Sequence, residues 1–206
     1  DIRYMEIIDL NKNRSITSCL TAGYAQWTKN MWGVLKSIKW YILFTAIVLS
    51  ITINSLIISS WHIWFPMAIT STIAVYQLNH QAFKYITNAP SNNKRILLLF
   101  KHLPKYISYS LLTNTISFSI NILISTPLII LIYCYVQNQV GILQGDPDTQ
   151  TTAFTALFFV TSFFTCILIL CMNTWRIFSA SFLYGACTVQ DIVKFQNKKN
   201  HQGYNN

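Results

Sequence analysis

Seven amide and imidazole side chains lie within or near long apolar runs, and they are the residues best suited to do chemistry. They are Asn54, Gln77, Asn79, His80, Asn114, Asn121 and Asn173. In hydrocarbon an amide turns toward another helix and hydrogen-bonds there, which contributes about 0.6 kcal/mol on average. The same groups can also line a path or pocket for a polar solute. The sequence therefore predicts a polar intramembrane cluster that is either a partner contact or a solute path.

Spacing supports a common depth for part of this set. Asn114 and Asn121 are seven residues apart, so they share one helix face. Asn114 also lies near the cytoplasmic end of its apolar run, at about the depth that we predict for Asn79 and Asn173. We expect these side chains to lie close together.

Ionisable groups that could carry catalysis are sparse. The six acids are Asp1, Glu6, Asp9, Asp146, Asp148 and Asp191, and none lies inside an apolar run. General acid–base catalysis needs two converging titratable groups, and a hydrolytic metal site needs clustered carboxylates or histidines. The four histidines show no metal-ligand spacing, and the chain has no phosphate-binding or dinucleotide-binding fingerprint. We predict no catalytic residues, no metal and no cofactor, and therefore a protein that is not an enzyme.

Four apolar segments must position these side chains. The clearest one, residues 40–60, has no ionisable group, and at 1.5 Å per residue it spans about 30 Å, the thickness of a hydrocarbon core. A short aromatic hairpin at residues 61–66 leads to the second segment. The third is longer than a bilayer requires, which predicts a tilt, a bend at Pro127 or protrusion from the membrane. The predicted transmembrane spans are residues 40–60, 66–83, 106–135 and 153–175.

The fifteen lysines and arginines alternate strictly between the connecting segments. Six precede the first span, five lie in residues 84–105, four lie from Arg176 onward, and the other two connections have none. By the positive-inside rule this alternation predicts that both termini are cytoplasmic and that residues 136–152 form an external acidic loop. Because the cations flank apolar runs, they fit anionic lipid headgroups and argue against nucleic-acid binding. The clean bias and short loops favour a bacterial inner membrane.

Amphipathic helices are predicted before the first and third spans. Residues 1–14 form a polar cytoplasmic lead, and Ser15 can cap a helix over residues 15–39 that bends at Gly33. We expect this helix to lie at the membrane surface, or else to pack on other cytoplasmic parts of the protein. Residues 84–105 form a basic loop with a second amphipathic element, and residues 176–206 a C-terminal helix with a disordered tail. The residues predicted at the lipid interface are Trp27, Lys29, Trp32, Lys36, Lys39, Trp40, Trp61, Trp64, Lys94, Arg95, Lys101, Lys105, Trp175 and Arg176.

The predicted fold is an all-α integral membrane protein with four transmembrane helices arranged as two hairpins. The halves show a possible parallel repeat, because setting Lys36 against Lys101 also aligns Tyr41 with Tyr106. We expect a non-catalytic accessory or scaffold subunit of a larger inner-membrane complex, whose partners are membrane lipids and other integral membrane subunits. The alternative is a small-solute or ion transporter or channel built from two parallel two-helix repeats.

Overall fold

Four α-helices form the regular structure of the computed structural model, which describes residues 12–57, 61–87, 101–145 and 152–203. They are α1 (Ile16–Ile57), α2 (Trp61–Thr87), α3 (Leu103–Leu143) and α4 (Thr152–Gly203). No strand occurs in these residues, so the all-α prediction is confirmed. Three of the helices, α1, α3 and α4, are long and apolar enough to cross a membrane. α2 is not among them, and its more polar end contains Gln77, Asn79 and His80.

Helix α1 begins at the predicted cap and then continues without a break. The backbone N–H of Ser18 donates to Ser15 Oγ at 3.2 Å, which satisfies one of the unpaired donors at the helix start. The helix has 42 residues and is therefore about 63 Å long at 1.5 Å per residue. The surface helix predicted over 15–39 and the span predicted from Trp40 are one element, and Gly33 lies inside it. Helix α1 is therefore about twice as long as the hydrocarbon core of a bilayer is thick.

Helices α2 and α3 are longer than predicted. Helix α2 starts at Trp61, so the predicted hairpin at 61–66 is helical and Pro66 lies inside the helix. Helix α3 also contains a proline, Pro127, and continues to Leu143, so residues 136–143 are helix instead of external loop. The turn that follows α3 contains Gly145, whose φ of 97° is a left-handed conformation that glycine adopts without steric cost.

Helix α4 continues through the predicted cytoplasmic segment. It has 52 residues and reaches Gly203, so the part of the predicted disordered tail that the structure describes is helical. The central basic loop lies mostly outside the described residues, which include neither Lys94 nor Arg95.

The chain forms two compact units, each built from parts of the helices. One, called the apolar unit here, consists of Ser37–Leu78 and Ile116–Asn173. Its interior is rich in small hydroxyl side chains, while large apolar side chains point outward. Buried examples are Thr45, Ser50, Ser71, Ser162 and Thr165, and exposed examples are Phe44, Phe118, Leu123, Ile130 and Phe164. Such an inverted exterior is what a protein needs when its solvent is lipid.

The other unit, called the basic unit, consists of Asp1–Lys36, Asn79–Thr115 and Thr174–Asn206. It contains every lysine and arginine of the chain except Lys39. Its core is large and aromatic, as in a water-soluble helical protein. The largest buried members are Trp27, Tyr109, Trp175, Phe178 and Phe182.

Candidate functional site

The apolar unit joins two of the seven predicted polar residues directly. The Asn173 amide donates to Asn121 Oδ1 at 3.2 Å and to the carbonyl of Ile169, one turn back on α4, at 2.8 Å. The first bond links α3 to α4, and both side chains are half-buried. This pair forms the interhelical amide contact that the sequence predicted for such residues.

Asn54 makes a second interhelical contact in the same unit. Its amide donates to Ser162 Oγ on α4 at 3.0 Å and to the Ser50 carbonyl on α1 at 2.8 Å. The buried hydroxyls bond within their own helices: Ser50 donates to Ala46 and Ser162 to Phe159, both at 2.8 Å. The backbone therefore satisfies both of these hydroxyl donors.

An open groove lies beside Asn54 in the apolar unit. Its volume is about 660 Å³, within the usual range for small-ligand sites. The wall is mainly apolar, with a few amide and hydroxyl groups at its edge. Its lining includes Ile51, Asn54, Ile63, Thr155 and Phe159. A groove of this composition suits an apolar chain better than a hydrated ion.

The other predicted polar residues lie elsewhere. In the basic unit Asn114 accepts a hydrogen bond from the Arg176 guanidinium. The backbone carbonyl of Arg176 accepts a second bond, from the Tyr109 hydroxyl at 2.9 Å, which ties α3 to α4. On α2 the side chains of Gln77, Asn79 and His80 are exposed. The expected association of Asn114 with Asn79 and Asn173 stays a prediction.

The residues predicted at the lipid interface divide into buried and exposed groups. Trp27 and Trp175 are only 6% exposed, and the Trp27 indole donates to Thr174 Oγ1 at 2.8 Å inside the basic unit. The first helix was predicted either to lie at the membrane surface or to pack on other parts of the protein. Trp27 packs inside the protein. Trp64, Lys105 and Arg176 are half-buried, and the Trp61 side chain lies outside the described set. The exposed members are Lys29, Trp32, Lys36, Lys39, Trp40 and Lys101.

A cation–carboxylate cluster in the basic unit was missed by the sequence reasoning. Lys101 Nζ lies 2.8 Å from Asp191 Oδ1, and His102 Nε2 lies 3.1 Å from the same oxygen. The bond from Lys101, supported by the one with His102, holds the pKa of Asp191 below its ordinary value. His102 and Asp191 are 89 residues apart in the sequence, so no local spacing could reveal this cluster. The cluster joins the start of α3 to α4.

Two further contacts fix α1 against α4 in the basic unit. A Cβ on Gly23 would lie 2.5 Å from the Ser179 Cα, so the two helices approach too closely here for any larger residue. Just before the helix, the Arg14 guanidinium lies 4.7 Å above the Phe182 ring.

The described groups offer limited chemistry. Burial raises the pKa of the Cys19 thiol, which favours its protonated and unreactive form. Among the described residues no three His, Cys, Asp or Glu side chains come together as metal ligands would. What the geometry does supply is a set of interhelical contacts and exposed surfaces. No family model, curated protein or solved structure matches the chain.

Proposed function

We propose that this chain is a non-catalytic integral membrane protein that serves as an accessory or scaffold subunit of a larger inner-membrane complex. The observation that supports this most is the exposure of α3. In its most apolar stretch 11% of the residues are buried, against 33% in α1 and 28% in α4. A helix that its own chain covers so little offers a broad face to the helices of another subunit.

The proposed topology has four crossings, with α2 as the fourth, and both termini in the cytoplasm of a bacterial cell. The distribution of cations supports it, because the basic unit contains all lysines and arginines but one. In this arrangement the Lys39 ammonium, which lies 5.4 Å from the Trp40 ring, is at the headgroup boundary. A reporter fused after Gln144 should be external, and a cytosolic reporter would contradict the topology.

The test of the subunit role is purification from native membranes in mild detergent. Stoichiometric partners should co-purify with the chain, and replacing Phe118 and Leu123 on α3 by Ala should reduce their recovery. These side chains are 67% and 74% exposed. The matched control replaces Ile69 and Ile73 on α2, which are 50% and 53% exposed, and should leave recovery unchanged. A stable, monodisperse lone chain from native membranes would argue against the proposal.

A small-solute or ion transporter or channel is the second candidate, and the mainly apolar groove beside Asn54 favours a solute with an apolar chain over an ion. Against it, the amides of Asn54 and Asn173 already hydrogen-bond to neighbouring helices. Solute flux in liposomes should fall when Asn79, His80, Asn114 or Asn173 is replaced by Leu. Unchanged flux in all four variants would remove the pathway.

A further inference from the structure

One face of α1 in the basic unit is both aromatic and cationic. Trp32 is 78% exposed and Tyr24 is 56% exposed, and the exposed Lys29 and Lys36 lie near Trp32 on the same side of the helix. These four residues are called the α1 outer face. The opposite side of α1, which includes Gly23 and Trp27, is buried.

The charge of this face is uncompensated by its neighbours in sequence. From Leu10 to Gly145 the chain contains no aspartate or glutamate. The face is also held rigidly, because the Trp27 indole bonds to Thr174 and the Tyr24 ring packs 5.9 Å from the Trp27 ring. Exposed aromatic side chains on a rigid support, with positive charge around them, are the usual anchors of a protein interface.

The continuity of α1 places Tyr24, Lys29 and Trp32 beyond the lipid headgroups, while Lys36, four residues or about 6 Å from Trp40, lies at their level. If the bilayer boundary is at Trp40, as in the proposed topology, Trp32 lies eight residues away, or about 12 Å along the helix. The headgroup layer is only about 5–8 Å thick on each side. Side chains on a helix lean toward its N-terminus, which here directs Trp32 farther from the bilayer.

We propose that the α1 outer face binds an acidic segment of a partner protein at the cytoplasmic side of the membrane. This deepens the proposed subunit role and rests on it. The aromatic rings of Trp32 and Tyr24 supply the apolar contact, and Lys29 and Lys36 pair with partner carboxylates at its edge. Edge charges mainly accelerate association and select the partner, so the complex should weaken as salt increases.

The test places the photo-crosslinking amino acid p-benzoylphenylalanine at position 32 of the full chain in native membranes. We expect a protein adduct whose crosslinked peptide is rich in Asp and Glu. Its yield should fall about tenfold in the variant with Lys29→Glu and Lys36→Glu, because like charges then face each other. The control Lys39→Glu should leave the yield unchanged, and the probe at Leu123 should report its own neighbours on α3 independently.

Several results would overturn the proposal. A lipid adduct at position 32 would put the face at the headgroups, and an adduct within this chain or to a second copy would name a different occupant. If the crosslinking yield is the same in the variant with Lys29→Glu and Lys36→Glu, the partner segment is not acidic. The two proposals can fail separately. If the chain is not a subunit, no stoichiometric partner co-purifies with it. If it is a subunit but the α1 outer face is not the contact, partners co-purify and no protein adduct forms at position 32.

Discussion

The apolar unit and the basic unit bury small hydroxyl and large aromatic side chains in different proportions. The apolar unit encloses small hydroxyls such as Thr45 and Ser162 and exposes Phe118 and Leu123, while the basic unit encloses aromatics such as Trp27 and Phe178. In water, burying large apolar surface drives folding, at about 25 cal/mol per Å². In lipid that driving force between helices is absent, so close packing and hydrogen bonds must replace it.

The parts of the helices that form the apolar unit therefore pack differently from the parts that form the basic unit. The apolar unit contains interhelical hydrogen bonds between side-chain amides, such as the one from Asn173 to Asn121. The basic unit also contains ion pairs, such as the one between Lys101 and Asp191. The comparison predicts that replacing a large buried side chain of the basic unit lowers the free energy of unfolding most. Replacing a hydrogen-bonded polar side chain of the apolar unit should lower it less. Four experiments test it, in order of expected effect.

The largest effect should come from the aromatic core of the basic unit. Replacing Trp27 by Ala removes a buried indole and its bond to Thr174, and should lower the free energy of unfolding by about 3–5 kcal/mol. The measurement is thermal unfolding in detergent, followed by circular dichroism. The matched control Trp32→Ala alters an indole that is 78% exposed and should change stability by less than about 0.5 kcal/mol. Equal effects of both changes would contradict an aqueous type of core.

The second effect concerns the close approach of α1 and α4. Gly23→Ala would place a methyl carbon 2.5 Å from the Ser179 Cα, so the helices must separate, at a cost of about 1–3 kcal/mol. The control Ala25→Leu adds volume on the exposed side of the same helix and should be nearly neutral, because Ala and Leu have similar helix propensities. If Gly23→Ala stabilises the protein in the same unfolding assay, the helices do not cross at this glycine.

The third experiment measures the amide pair of the apolar unit. In a double-mutant cycle of Asn121→Leu and Asn173→Leu, we expect a coupling of about 0.6 kcal/mol, and at most about 2 kcal/mol. The readout is unfolding of the detergent-solubilised chain by a chemical denaturant. A coupling near zero would mean that the two amides do not bond in the membrane-like environment.

The smallest effect is the pH dependence of the Asp191 cluster. Because the folded-state pKa of Asp191 is depressed, chiefly by Lys101, its stabilisation is present above the unfolded pKa of about 4 and is lost as pH falls through the folded value. For a pair near the surface the amount is at most about 1 kcal/mol. Thermal unfolding of Asp191→Asn should therefore differ from that of the unaltered chain at pH 6, and the difference should shrink as the pH falls below the unfolded pKa. A difference that stays constant as the pH falls would assign the effect to something other than ionisation.

Local patterns predicted the elements of this fold better than their boundaries. The Ser15 cap and the apolar run from Trp40 depend on neighbouring residues, and both are visible in the sequence. Pro66 and Pro127 both lie inside helices, so neither residue ends its element, and the bend predicted at Pro127 stays a prediction. Helices α3 and α4 extend past their apolar runs because the residues beyond Tyr135 and Trp175 still have helical pattern or packing partners.

The candidate site could be predicted only in part. Because an amide in an apolar helix needs a hydrogen-bond partner, the sequence predicts interhelical bonds for residues such as Asn121 and Asn173. It does not predict that these two residues bond to each other. Trp27 was misassigned to lipid because an indole with nearby lysines suits a headgroup layer as well as it suits an aqueous core. Contacts such as Lys101 with Asp191 depend on the packing of distant helices, and one sequence alone gives no signal for them.

The interhelical bond of Asn54 has a mechanical consequence. Its amide is held by Ser162 on α4 and by the Ser50 carbonyl one turn back on α1, so a rotation of this part of α1 about its own axis would have to break the bond to Ser162 or carry α4 with it.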